Sequence, residues 1–364
     1  MTAGATGEIN NNPRYYHRIM AKRNYSTMKR NKIEPAVLTM TLATPTVPGT
    51  GVAESFMIDL SQIASLMNRR FYRQGINWAV AGFKFLTAPG YSGQIAVNKL
   101  PNTWVLSNAW EKSMRHYLEM TEQALTGTES IRPRFMDFKV YADARHHAVG
   151  YAANLLPVSV GDGITASLAT EGEWISSKIS VPNTASPGTA NEFELIAVGA
   201  SYPGVGASGN NAVSMIEGYA ASRGLPYPED PNVPADAADV SGTSQPQNWI
   251  GALTNEGTRQ DEQILDNLID ENNQAPYPFE GDGTALDTMY PGGANQLVGM
   301  EIHSIENVTG TTIGGTTRIK GGNFPCGLVN VTAVNNGEAA SITIQIDLIP
   351  GSHRGYLCEP MTEM

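Results

Sequence analysis

Residues 341–348 read Ser341-Ile342-Thr343-Ile344-Gln345-Ile346-Asp347-Leu348. Apolar and polar side chains alternate without a break, a period of two that puts all the apolar groups on one face of a strand. The stretch therefore predicts a half-buried antiparallel strand. The same pattern spreads outward from it. Val329, Val331 and Ala333 form one apolar face, and Val298, Met300 and Ile302 another. Near the other end of the chain, Leu38, Met40 and Leu42 alternate with Val37, Thr39 and Thr41. Phe56, Ile58 and Leu60 follow across the turn residues Pro48, Gly49 and Gly51. Met136, Phe138 and Val140 repeat the alternation, as do Phe193, Leu195 and Ala197, while the longer apolar run Gly75–Leu86 predicts a strand buried on both faces. About eight strands with no regular helices between them point to an all-β fold, a single jelly-roll sandwich of two four-stranded antiparallel sheets.

Three helices interrupt the strands. Ser61–Arg70 is short, and Ser107–Leu125 is the longest, with Ser107 as its N-cap and Gly127 as its stop. Trp110, Met114, Tyr117, Leu118, Thr121 and Leu125 share one face of that helix. A third, near Thr258–Asn272, opens on a capping-box-like Thr258…Asp261 and pairs an apolar face with an acidic one.

Composition narrows the class. The chain has 364 residues, enough to bury a full core without disulfides. It holds only two cysteines, Cys326 and Cys358, read as small buried hydrophobes, and no apolar run long enough for a membrane-spanning helix. The polar start, Met1–Asn12, lacks the apolar centre of a secretion signal, which gives the expectation of synthesis inside a cell.

The net charge of −11 conceals a segregation. Residues 1–33 carry Arg14, Arg18, Lys22, Arg23, Lys29, Arg30 and Lys32 against Glu8 alone. Residues 201–295 carry fourteen acidic residues against Arg223 and Arg259. The basic stretch has no sustained apolar periodicity and reads as an arm, residues 1–34, whose cations neutralise phosphates through counterion release. Tyr15, Tyr16 and Tyr25 are interleaved and suited to stacking on unpaired bases. The acidic stretch, rich in Pro, Gly and Asp, reads as a loop-and-helix insertion and surface protrusion between two late strands. The first part of the sandwich then lies in 35–200 and its last strands with a tail in 296–364.

Catalytic patterns are weak. Asp143-Ala144-Arg145-His146-His147 is the one local cluster that suggests a metal, and it lacks ligand spacing and holds a competing arginine. It reads as a polar cluster at a strand end. No G-x-S-x-G, phosphate-binding loop or dinucleotide fingerprint occurs. The expectation is a non-enzyme with no cofactor and no metal.

The arm PRYYHRIMAKRNYSTMKRNK, the segment NKLPNTWVLSNAWEKSMRHYLEM and the ending IDLIPGSHRGYLCEPMTEM resemble capsid proteins of small icosahedral viruses. The likeness is strongest to those of circular, Rep-encoding single-stranded DNA viruses from marine and environmental samples. The resemblance implies a jelly roll assembling in many copies into a shell, with the arm facing a genome, expected to be single-stranded DNA, and the protrusion facing a host receptor. It implies a location in the virion and no membrane partner. The seven arm cations become the genome-contacting set, although the arm is shorter and less basic than many in the family. The alternative is a β-sandwich adhesin that binds a receptor or glycan through aromatics of 201–295: Tyr219, Tyr227, Trp249, Tyr277, Phe279 and Tyr290. The same aromatics equally suit a small core of the insertion itself.

Overall fold

The computed structural model describes residues 35–125, 137–160, 166–172, 174–182, 190–223, 249–254, 299–309 and 315–364. The chain runs through β1 (Thr39–Ala43), β2 (Ala53–Asp59), α1 (Leu60–Asn68), β3 (Ile76–Leu86) and β4 (Gly93–Lys99). Then come α2 (Trp104–Ala124), α3 (Ala144–Val149), β5 (Val158–Val160), β6 (Ala166–Leu168), β7 (Lys178–Pro182), β8 (Ala190–Ile196), β9 (Asn211–Ser214), α4 (Met215–Arg223) and α5 (Trp249–Thr254). The last third carries β10 (Glu301–Val308), β11 (Thr316–Phe324), β12 (Leu328–Asn335) and β13 (Thr343–Leu348). Three short strands close it: β14 (Pro350–Gly351), β15 (Gly355–Tyr356) and β16 (Cys358–Pro360).

Eight of these strands make two curled antiparallel sheets in a sandwich-like arrangement. The first sheet has the order β1-β13-β3-β11, with β16 adding a short fifth strand beside the start of β3. The second has the order β10-β4-β12-β2. Among the eight, the first pairs with the last, the second with the seventh, the third with the sixth and the fourth with the fifth. One long hairpin wrapped on itself would give those pairs, and the pairings β13–β3 and β12–β4 lock the wrap.

Alternation along these strands builds the core. Met40, Leu42, Phe83, Phe85, Ile344 and Ile346 project from the first sheet, and Ile95, Val97, Val329 and Val331 meet them from the second, all essentially solvent-free. Each such side chain contributes about 1.5–3 kcal/mol relative to exposure. The stretch 341–348 behaves as its pattern predicts, with Ile344, Ile346 and Leu348 inward and Gln345 and Asp347 outward.

Several expectations change. β3 is not buried on both faces throughout: Ala81 is exposed and Lys84 half-exposed, on the side of the first sheet turned away from the core. Of the expected face Val298, Met300 and Ile302, Val298 lies outside the described residues and Met300 is half-buried against the cluster that holds Leu100, Trp110 and Trp249, whereas Ile302 faces no core. Ile302 is 64% exposed, and an irregularity between Ile302 and Ser304 shifts the alternation so that only Val308 of β10 is buried. Leu60 begins a helix instead of extending β2, because Asp59 accepts hydrogen bonds from the amides of Ser61 and Gln62 and caps α1. The longest helix starts at Trp104, not after Ser107: Thr103 Oγ1 accepts from the Leu106 amide and Ser107 sits inside the first turn. Phe138 and Val140 are buried without joining a strand, and Phe193 and Leu195 belong to a separate sheet, β7-β8-β9, in which β8 and β9 run parallel. The predicted helix near Thr258–Asn272 lies outside the described residues.

A second core forms against the outer side of one end of the second sheet. Met57 and Leu328, on the face opposite Ile58 and Val329, pack with Leu100, Trp110, Phe138, Leu195 and Trp249. The described part of 201–295 shares this core with residues that precede it, since Val213, Met215, Ile216 and Trp249 are buried in the same cluster. Asp59 is the polar pin between the layers. Its Oδ2 accepts from Trp174 Nε1 at 2.9 Å and Gln74 Nε2 at 3.1 Å, and Gln74 bonds both backbone groups of Val140. Burial drives the Asp59 carboxyl up to about 6, against the pull of its four hydrogen bonds.

Candidate nucleic-acid interface

All seven sequence-predicted nucleic-acid residues, Arg14, Arg18, Lys22, Arg23, Lys29, Arg30 and Lys32, lie outside the described residues. Of the chain that follows them, Pro35–Leu38 leads directly into β1.

The outer face of the first sheet carries cations that charge density along the sequence does not single out. Pairing register places Arg318 of β11 opposite Lys84 of β3, and Lys84 opposite Gln345 of β13. The adjoining row runs Lys320, Gly82, Asp347, Thr39 across four strands. Gly82 contributes no side chain between Lys320 and Asp347, and a depression of about 580 Å³ opens over it. Lys84, Arg318 and Lys320 stand on one side, with Thr39, Gln345 and Asp347 on the other. Thr39 Oγ1 donates to Asp347 Oδ1 at 2.6 Å, so the single carboxylate in the groove already has a partner. Among the described residues, no carboxylate lies within ion-pair distance of any of the three cations. The signal for them was available: Arg318-Ile319-Lys320 and Phe83-Lys84-Phe85 each alternate basic and apolar residues, as a half-buried strand with one basic face must.

Other chemistry-bearing groups are turned inward. The Asp143–His147 cluster is not a strand end. Asp143 caps α3 through the His146 amide, and both histidines are buried. His146 Nδ1 accepts from the Ala142 amide, which leaves Nε2 to donate to Asn154 Oδ1 at 3.0 Å. Burial holds its imidazole down to about 3, outweighing the Asn154 bond. Ser176 Oγ donates to Glu194 Oε1 at 2.5 Å, and Glu194 Oε2 lies 3.1 Å from His147 Nε2. Burial works to raise the Glu194 carboxyl, but the bonds from His147 and Ser176 hold it below its ordinary value. The carboxylate stands between hydroxyl and imidazole, so the imidazole cannot take the hydroxyl proton as a nucleophile's base must. This arrangement ties α3 to β8.

A hollow of about 370 Å³ lies between α2, the residues before β3 and the C-terminal turn, lined by Tyr72, Ile76, Trp110, Phe138, Arg73 and Arg354 among others. Asp137 in its wall is ion-paired to Lys139 at 2.7 Å, and Lys139 sits over the Trp174 ring. Among the described residues no group of three or more His, Cys, Asp or Glu is arranged to hold a metal ion. Cys326 and Cys358 are free, the first buried and the second half-buried. No helix among the described residues is long and apolar enough to cross a membrane. Of the aromatics considered for sugar stacking, Trp249 is fully buried with its Nε1 donating to Ser214 O, and Tyr219 packs on the second core. Tyr227, Tyr277, Phe279 and Tyr290 lie outside the described residues. No family model, curated protein or solved structure matches the chain.

Proposed function

We propose that this chain is a viral capsid protein that assembles in many copies into an icosahedral shell and packages a single-stranded nucleic acid, expected to be DNA, through its basic N-terminal arm. The observation that carries the reading is the strand order. Numbered one to eight, the strands of the two sheets run 1-8-3-6 and 2-7-4-5, which supports a jelly roll, the double Greek key of many viral shells and lectins. Because the fold alone serves both uses, the arm decides between them. Seven cations within nineteen residues precede the first strand, and a glycan binder has no need of them. Edge strand β10 adds support for self-association, since Ile302 and Ile305 stand 64% and 48% exposed on it. Segregation of charge fits a container: a basic arm holds polyanion, while an acidic 201–295 keeps the particle soluble and repels stray nucleic acid.

The test is deletion of residues 1–33 followed by purification of the assembled protein. The expected product is a folded protein whose particles contain no nucleic acid. Particles from the deletion variant with the nucleic-acid content of the full chain would overturn the arm's role.

A further inference from the structure

We infer that the groove over Gly82 is a second nucleic-acid contact, built into the folded part of the chain, in which Lys84, Arg318 and Lys320 hold phosphates of a single strand. The inference rests on the reading of the chain as a genome-packaging shell protein and extends it to residues outside the arm.

Three observations converge on it. The first is an unfavourable pairing: Arg318 and Lys84 are directly opposed across β11 and β3, and Lys320 follows on the same face two residues along. Like charges directly opposite one another weaken a sheet, and the one carboxylate lining the groove, Asp347, lies beyond ion-pair distance of all three cations and does not balance their charge. An anion from outside the fold would. The second is shape. Gly82 leaves the sheet backbone open between the rows, and the rim opposite the cations is polar, with the Gln345 side-chain amide available to donate to sugar and phosphate oxygens. The repeat of about 6.6 Å between alternate residues of a strand lets Arg318 and Lys320 take successive phosphates of an extended strand. The third is connectivity. Thr39 lines the groove, only seven residues beyond Lys32, the last cation of the arm.

The experiment uses the full-length protein freed of nucleic acid in high salt. It compares the wild type with Arg318→Thr/Lys320→Thr, with Lys84→Thr, and with Lys178→Thr as a charge control; Lys178 faces Glu192 at 3.8 Å on the separate sheet. Binding of a fluorescent oligothymidylate is read by anisotropy across a salt series, and melting is read without nucleic acid. The expected double variant binds at least tenfold more weakly at 0.1 M salt, and its dependence of log K on log salt is shallower by about 1.4, roughly 0.7 for each single-strand phosphate no longer neutralised. Without nucleic acid, Lys84→Thr and the double variant melt higher than the wild type, because the repulsion is gone. Affinity unchanged, or reduced no more than by Lys178→Thr, would overturn the groove. A lower melting temperature in both groove variants would overturn it too, since the cations would then be structural. If the groove variants bind like the wild type while arm deletion removes the nucleic acid, the groove fails and packaging by the arm stands. If neither change matters, or the wild type binds no oligothymidylate, the packaging reading itself fails.

Discussion

The two outer faces of the sandwich are made from the same strand chemistry and end up opposite in character. On the second sheet the polar face satisfies itself. Asn330 Oδ1 accepts from Asn98 Nδ2 at 3.0 Å and Thr332 Oγ1 at 2.9 Å, Ser55 exchanges a bond with the Asn330 side chain, and the far end is capped by the second core. On the first sheet the outer face holds three cations with no carboxylate partner among the described residues and a groove where Gly82 supplies no side chain. One face pairs Asn98, Asn330, Thr332 and Ser55 within the fold, whereas the other carries three cations with no carboxylate at ion-pair distance among the described residues. On the proposed reading of the groove, the difference separates a side of the sandwich that is structural from one that takes a polyanion.

Breaking the cover on the second sheet gives the largest expected effect. Trp249→Ala removes a fully buried ring packed on Gly218 and deletes the bond to Ser214 O. It is expected to cost about 3–5 kcal/mol in urea unfolding, whereas a loss below about 1 kcal/mol would mean that α5 does not belong to that core.

The next effect is pH-dependent. His146 stays neutral in the fold down to a pH of about 3, while in the unfolded chain it takes up a proton near 6.5. Its contribution is present above 6.5 and is lost progressively as the pH falls toward 3. His146→Gln is therefore expected to be less stable than the wild type at pH 7. The gap should narrow by about 2 kcal/mol between pH 7 and pH 5, as measured by denaturant melts at the two pH values; a constant gap would refute the neutral buried imidazole.

The smallest effects set the two faces directly against each other. Asn330→Ala should destabilise by about 1 kcal/mol or somewhat more, because it leaves Asn98 and Thr332 short of an acceptor. Lys84→Thr should stabilise by roughly a few tenths of a kcal/mol by removing a like-charge pair. Equal signs in paired thermal melts would erase the contrast.

The sandwich was legible where one face meets the core and the other meets water. β1 and β13 follow their alternation residue by residue, and Ile342–Leu348 alone indicates the class of fold. Legibility failed where a third layer intervenes. Met57 and Leu328 are apolar on the outer side because the second core covers them, and nothing local to β2 or β12 signals a cover assembled from Leu100, Trp110, Leu195 and Trp249. It failed again at β10, whose irregularity exchanges inner and outer positions, so that the apolar Ile302 reads as core and is exposed. β4 and β11 were missed because Gln94, Asn98, Gly321 and Gly322 dilute their apolar pattern, and with β11 went Arg318 and Lys320. The arm is an expectation from charge density alone, on residues outside the described ones. The groove cations required the register, since Lys84 and Arg318 lie 234 positions apart in sequence and opposite each other in the sheet.

The most direct test of the central claim is size-exclusion chromatography of the expressed full-length protein, with absorbance at 260 and 280 nm and negative-stain imaging of the peak. The capsid reading predicts uniform round particles with a high 260/280 ratio. A monomer or small oligomer free of nucleic acid, across a range of salt and pH, would contradict it.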